Sequence, residues 1–372
     1  MNLGHETTAN IRNFGCIFVV VMIVSMRANA QQIPANVSGR ELSRITQYLD
    51  ELVPRGAVRA ERELGGDLFE CVDFFQQPSV RALKAQGIEV PAPTFEEEIA
   101  QDSSPELRQR ARRLAEPCPK GSVPFRRVPV AEIASFGSLD AYLKKEPPAM
   151  LAHEYGTVSQ TVLNYGAKST LNIWDPYVET GADFSLSQIW VSRGLDGSSL
   201  ETIEAGWVKR ASGGPSRLFV YMTNNSYGAA GPGISCWNAD CAFVLTSAGS
   251  PVDVSFSAYS VSGGAQVEGE LTLQRDSAGT QWMFYYQGYK VGYWSTVLFN
   301  SDGLRDHADN VTWGGETFDE SGSTHTATDM GSGAFPVSPD SGNLGNAAYQ
   351  RIMNVRSGLL SWTPANPTID TA

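Results

Sequence analysis

From Leu151 onward the chain is a series of short, mostly apolar runs with no helical period between them. TLNIWDPYV, SLSQIWVSRG, TIEAGWVKR, RLFVYMTN, VDVSFSAYSV, VEGELTLQRD, QWMFYYQGYKVGYW, VTWGGETF and AAYQRIMNV are separated by Gly, Asn, Ser and Asp. Parallel strands need crossovers of a dozen residues or more, usually helices, and these spacers are not helical. Short strands joined by turns predict an all-β domain, an antiparallel β-sandwich that is jelly-roll-like in its connections. Along QWMFYY, Trp282, Phe284 and Tyr286 alternate with Met283 and Tyr285, so both faces are apolar or aromatic. Either both faces pack, or one lines a groove.

Two of these strands carry an acid in a setting built from small residues. In TIEAGWV, Thr202, Glu204, Gly206 and Val208 share one face at period two, and Ile203, Ala205 and Trp207 share the other. VTWGGET repeats the arrangement, with Thr312, Gly314 and Glu316 on one face and Trp313 opposite. A strand glycine lets another backbone come close, which a substrate groove requires. Glu204 and Glu316 are therefore a candidate pair. The plainer reading is two solvated strand glutamates beside bulge glycines.

The first 148 residues differ in kind. Residues 16–26, CIFVVVMIVSM, precede Ala28-Asn29-Ala30, the small-x-small form of a signal-peptidase site, so residues 1–30 are expected to be an export signal. Its apolar core falls short of the roughly 20 residues a membrane span needs. A secreted, extracellular protein with no membrane partner is expected. The net charge of −12 lies mostly in residues 149–372, with 10 Lys or Arg against 21 Asp or Glu. Residues 31–148 are nearly balanced, 16 against 18. An acidic domain argues against nucleic acid as a partner.

Within this leading part, SGRELSRITQYLDELV (38–53) has a capping box, Ser38 with Glu41, and an apolar stripe of Leu42, Ile45, Leu49 and Leu52. LFECVDFFQ (68–76) is strand-like and VRALKAQG (80–87) a short helix. A basic helix is expected over about 105–115, bearing four arginines. The boundary is expected at KKEPPAM, giving a small mixed α/β segment, 31–148, before the sandwich, 149–372. Loss of the signal would leave Cys71, Cys118, Cys236 and Cys241. Four cysteines in an exported chain favour two disulfides, in any of three connectivities. Pairing Cys236 with Cys241 would clip a six-residue loop and leave Cys71 for Cys118. No CxxC is present, and His153, His307 and His325 lie at no ligand spacing, so neither metal nor cofactor is expected.

In this order the motifs resemble the neprosin family of secreted proteases. They are HEYGTVS at 153, YGAKSTLNIWDPYVE at 165, FSLSQIWVSRG at 184, TIEAGWV at 202, RLFVYMTNNSY at 217, VGYW at 291, VTWGGE at 311, HTATDMGSGAFP at 325 and AYQRIMNV at 348. LFECVDFFQQPSVRALK at 68 and CPKGSVPFRRV at 118 resemble that family's prosegment. The resemblance implies a zymogen whose prosegment, 31–148, is an intramolecular inhibitor of a catalytic β-sandwich. It also implies a glutamic peptidase that cuts proline-containing peptides after proline in acid, with Glu204 and Glu316 as its two catalytic glutamates. The family's short disulfide falls on Cys236 and Cys241. No cysteine follows Cys241, so a second catalytic-domain bridge found in plant relatives is absent, and Asn225 stands where relatives often carry Asp.

Two carboxyls held close cannot both ionise cheaply, so one keeps a proton while the other activates water. Gln188, on the strand before Glu204, is the candidate donor to the developing oxyanion. A cross-strand amide bond is its structural alternative. Tyr293 and Trp294 are candidates to hold a proline ring, whereas Trp207 and Trp313 are expected to pack. The one Pro-Pro in the chain, Pro147-Pro148, is the expected activation site, with the prosegment arginines holding the acidic domain until acid releases them. A monomer is expected. The competing class is a carbohydrate-active sandwich, a glycosidase or lectin-like protein, since two glutamates in an aromatic groove also fit that chemistry.

Overall fold

The computed structural model describes residues 33–95, 98–100, 105–145, 153–179, 181–194, 199–210, 214–230, 232–321, 326–335, 344–358 and 361–370. The expected export signal and Pro147-Pro148 lie outside the described residues.

The leading part opens with α1 (Gly39–Leu52), capped by Ser38 Oγ, which accepts the Glu41 N–H at 3.2 Å. Glu41 does not close the expected box. Its carboxylate turns to the Leu139 N–H, 2.8 Å away, and to Arg44, tying α1 to a later helix. Strands β1 (Val58–Leu64) and β2 (Asp67–Asp73) form a hairpin. Its two-residue turn is Gly65-Gly66, with φ of 67° and 86°, the positive values such turns demand. Helix α2 (Pro78–Ala85) follows, then α3 (Pro105–Gln109), β3 (Ser122–Arg126), α4 (Val130–Ala134) and α5 (Leu139–Leu143). The basic helix is shorter than its pattern predicted. Beyond Gln109, Arg113 lies over the Tyr289 ring at 4.1 Å and donates to Ser250 Oγ at 3.2 Å, so tertiary contacts override helix propensity there.

Residues 153–370 form two antiparallel sheets. In chain order the strands are β4 (His153–Asn164), β5 (Gly166–Asn172), β6 (Phe184–Arg193), β7 (Glu201–Arg210), β8 (Arg217–Thr223), β9 (Ser235–Trp237), β10 (Phe243–Leu245), β11 (Val254–Ser255), β12 (Glu268–Arg275), β13 (Gln281–Tyr286), β14 (Tyr289–Ser295), β15 (Ala308–Phe318), β16 (Gln350–Arg356), β17 (Trp362–Pro364) and β18 (Thr368–Ile369). The first sheet runs β11-β8-β7-β6-β15-β4-β18, with β9 added to β8, and the second β10-β14-β13-β12-β5-β16-β17. The all-β sandwich is as the strand pattern predicted.

Alternation along each strand sorts the side chains. Ile203, Ala205 and Trp207 of β7, Trp313 of β15, Trp282 and Phe284 of β13, and Trp294 of β14 fill the buried core. The opposite face of the first sheet holds a second aromatic cluster of Phe184, Trp190, Phe219, Tyr221, Trp237 and Phe318. Apolar residues of the leading part, among them Phe69, Phe74, Val80 and Phe125, join the same core as Leu245 and Val254 of the sandwich. Buried Gln77 extends edge strand β10: its amide donates to the Leu245 carbonyl at 3.0 Å and accepts the Leu245 N–H at 2.9 Å. Arg217 pairs with Asp67 at 2.7 Å, and Arg126 with Asp253 at 2.5 Å and Glu132 at 2.5 Å. The disulfides are Cys71–Cys118 and Cys236–Cys241.

The chain has three N-x-S/T glycosylation sequons, at Asn36, Asn224 and Asn310, and the last two are tied into this fold. Asn310 is buried and bonds Thr161 and Thr312, and Asn224 donates to the Leu298 carbonyl at 2.7 Å.

Candidate active site

Glu204 and Glu316 stand on the same face of the first sheet, on strands flanking β6. Register fixes this: Glu204 lies opposite Trp190, Glu316 opposite Leu186, and residues 186 and 190 of one strand share a face. Both side chains are buried, at 0% and 1% exposure, so the plainer reading of solvated strand acids is excluded. Gln188 lies midway between them on β6, opposite Gly206 on one side and Gly314 on the other.

The two glycines serve the sheet more than an incoming chain. A Cβ on Gly206 would meet the Ser187 carbonyl oxygen at 2.0 Å and Gln188 Cβ at 2.6 Å. One on Gly314, where φ is 155°, would meet the Gly156 carbonyl oxygen at 2.2 Å. Gly206 thus makes room for Gln188, and Gly314 for the backbone of β4. Its side chain is fully buried, and neither its amide nitrogen nor its oxygen has a hydrogen-bond partner among the described residues. An unsatisfied buried amide costs about 1–3 kcal/mol, and each one in a native protein calls for an explanation.

A residue read only as part of a linker occupies the space between the acids. Lys145, just beyond α5, is 1% exposed, and its ammonium contacts Glu204 Oε2 and lies 3.4 Å from Glu316 Oε2. The rings of Tyr221, Trp190 and Tyr227 surround it at 5.3, 5.5 and 5.7 Å, within cation–π range. One cation thus bridges two carboxylates inside an aromatic cage.

The two acids differ in their other partners. Glu204 Oε1 accepts from the hydroxyls of Tyr227 at 2.6 Å and Thr202 at 2.7 Å. Tyr227 has a φ of 55°, sparsely populated for a side chain of its size. Asn225 holds that turn, its Oδ1 accepting from Gly228 N–H at 3.1 Å and Ser235 Oγ at 2.8 Å. Glu316 Oε1 accepts from His153 Nδ1 at 2.8 Å, and Tyr155 OH lies 3.5 Å away. Burial pushes the Glu316 carboxyl up, but Lys145 and His153 outweigh it and hold the carboxyl below its ordinary value.

Tyr293 and Trp294 are not at this site. Both belong to β14 in the second sheet: Trp294 packs on Phe243 at 4.7 Å in the core, and Tyr293 points to that sheet's outer face beneath the leading part. They lie between the two dyad motifs in sequence, but sheet order is not local in sequence and sets β14 in the other layer. Trp207 and Trp313 pack as expected, and the Trp207 indole donates to the Asn172 carbonyl at 2.9 Å. Arginines of the leading part do meet the sandwich, Arg126 at Asp253 and Arg113 over Tyr289, but the cation at the dyad is Lys145.

Comparison with known proteins decides the family. The model of the family described as Neprosin matches residues 181–369, the stretch that holds Gln188, Glu204 and Glu316. The chain belongs to the Neprosin family. The sandwich of this Neprosin-family protein has distant likenesses among solved structures. One is scytalido-glutamic peptidase with a peptide-based transition state analog, 10% identical over 58% of this chain and 88% of that one, TM-score 0.28. Another is the Ruminococcus gnavus IT-sialidase CBM40, 11% identical over 46% of this chain and 91% of that one, TM-score 0.23. Overlaps this small say nothing of activity.

Proposed function

We propose that this Neprosin-family protein is a glutamic peptidase, made as a secreted zymogen and cutting proline-containing chains after proline in acid. The observation that carries the reading is the Lys145 ammonium set between Glu204 and Glu316. Two carboxylates buried side by side without a cation are unfavourable at neutral pH, so a lysine from the leading part compensates the pair and occupies the place of a substrate. The leading part is then the intramolecular inhibitor. Cleavage at Pro147-Pro148, two residues beyond Lys145, would free it.

With Lys145 gone, the pair shares one proton. Glu316, beside the His153 imidazole, keeps the charge and acts as base toward water. Glu204 is then the partner that carries the shared proton, polarises the peptide carbonyl and later protonates the leaving nitrogen. The free amide of Gln188 donates to the oxygen of the tetrahedral intermediate. The cage of Trp190, Tyr221 and Tyr227 offers the apolar faces against which a proline ring would pack.

The test incubates the full chain across pH 2 to 8 beside Glu204→Gln, following chain length and cleavage of a proline-containing peptide by mass spectrometry. Shortening near residue 148 and acid-dependent cuts after proline in wild type alone are the expected result. Identical behaviour of the two proteins would return Glu204 to a structural role and reopen the carbohydrate reading.

A further inference from the structure

The outer face of the second sheet carries a row of side chains that the dyad does not use. Met283, Tyr285, Lys290 and Tyr293 alternate there with core residues Trp282, Phe284 and Trp294. Strand β10 pairs with β14 only at 292–294, and its ladder ends with the Thr246 N–H donating to the Val291 carbonyl at 3.1 Å. The start of β14 is thus an unpaired edge of the sandwich.

Residues of the leading part take over that edge. Ile99 bridges Tyr289 antiparallel, the Ala100 N–H donates to the Gly288 carbonyl at 2.7 Å, and the Lys290 N–H donates to the Glu98 carbonyl at 2.9 Å. The Glu98 carboxylate accepts from Lys290 Nζ at 2.8 Å and from Tyr285 OH at 2.9 Å. Upstream, residues 91–95, PAPTF, roof a cavity of about 280 Å³ with Tyr289, Tyr293, Thr246 and Gln281 among its lining residues. Backbone addition, an aromatic recess under prolines and a cation for one carboxylate together make up the equipment of a peptide-binding edge.

We propose that this edge becomes a substrate-recruiting site once the leading part has left, binding extended chains that carry prolines a few residues before an acidic side chain. The inference rests on the zymogen reading above. Departure of the cover leaves the Lys290 N–H and Gly288 carbonyl unpaired, the aromatic recess open and the Lys290 ammonium without its carboxylate. A substrate segment of the same chemistry restores all three contacts and anchors a long chain away from the dyad, so that cleavage becomes intramolecular in effect.

The experiment compares two fluorogenic substrates with one cleavable proline sequence, one of them extended through a Gly/Ser linker by IEVPAPTFEEEIA, residues 88–100. With acid-activated full-chain protein at pH 5, the extension is expected to lower KM at least tenfold with kcat unchanged. Lys290→Glu should abolish that advantage and leave the short substrate unaffected, and an extension bearing Lys in place of Glu98 should restore it. No advantage from the extension, or an advantage that survives Lys290→Glu, overturns the proposal. If neither substrate is cut, it is the peptidase reading that has failed. Anisotropy of the labelled extension on the acid-treated protein then decides the site alone, with tenfold weaker binding by Lys290→Glu supporting it and equal binding refuting it.

Discussion

The two outer faces of the sandwich are both covered by the leading part, by opposite physical means. On the first sheet a single cation is buried between two carboxylates and three rings. On the second, the cover lies along a strand edge with a half-exposed ion pair, Glu98 being 53% exposed. Charges taken out of water interact strongly and fail badly when one partner is removed, whereas screened pairs contribute little. On the zymogen reading the first face is expected to open all-or-none and with pH, and the second to bind and release.

The largest separation should appear in catalysis. Glu204→Gln or Glu316→Gln is expected to lower peptide cleavage by about a thousandfold or more, since either removes half of a unit that acts together. Tyr285→Phe on the other face should change cleavage of a short peptide less than twofold, and an equal loss in both would erase the contrast.

Stability of the uncleaved chain comes next. Lys145→Met leaves two buried carboxylates facing each other and should cost about 3–5 kcal/mol at pH 7. Lys290→Met should cost less than about 1 kcal/mol, as exposed pairs do. Denaturant unfolding of both variants beside wild type checks this.

A smaller effect belongs to the Cys236–Cys241 bond, which closes the loop next to the aromatic cage. Replacing both cysteines by serine should cost about 2 kcal/mol on chain-entropy grounds and shift the unfolding midpoint alike in cleaved and uncleaved protein. A loss confined to one form would show that the bond serves the cover.

What was legible in the sequence was local. Period two puts Glu204 and Glu316 on the face opposite Trp207 and Trp313, whereas the flanking glycines, which read as opening a groove to an incoming chain, admit neighbouring parts of the sheet instead. The short disulfide was visible in spacing and in the family's pattern. What escaped reading depends on contacts between distant segments. Lys145 sits in a charged stretch next to two prolines, which has the composition of a linker, and only its burial discloses its role. His153 begins a strand and meets Glu316 across the β4–β15 ladder, 163 residues apart. Tyr227 reaches Glu204 because of a left-handed turn that its sequence does not announce. Tyr293 and Trp294 flank the motifs in sequence and so read as a place for a proline ring, but sheet order puts β14 on the other layer.

The pH dependence of the Lys145 contact tests the central claim most directly. Glu316 has a folded-state carboxyl held below its ordinary value by Lys145 and His153. Its contribution is therefore fully present above the unfolded carboxylate value, about 4.3, and is lost as pH falls through the lowered one. The measurement is the pH profile of chain shortening and peptide cleavage for full-length wild type and Lys145→Met. Wild type is predicted to activate only below the ordinary carboxylate range, and Lys145→Met to do so at distinctly higher pH. Superimposable profiles would contradict the account, because the cation between the two glutamates would then not be what holds the site shut.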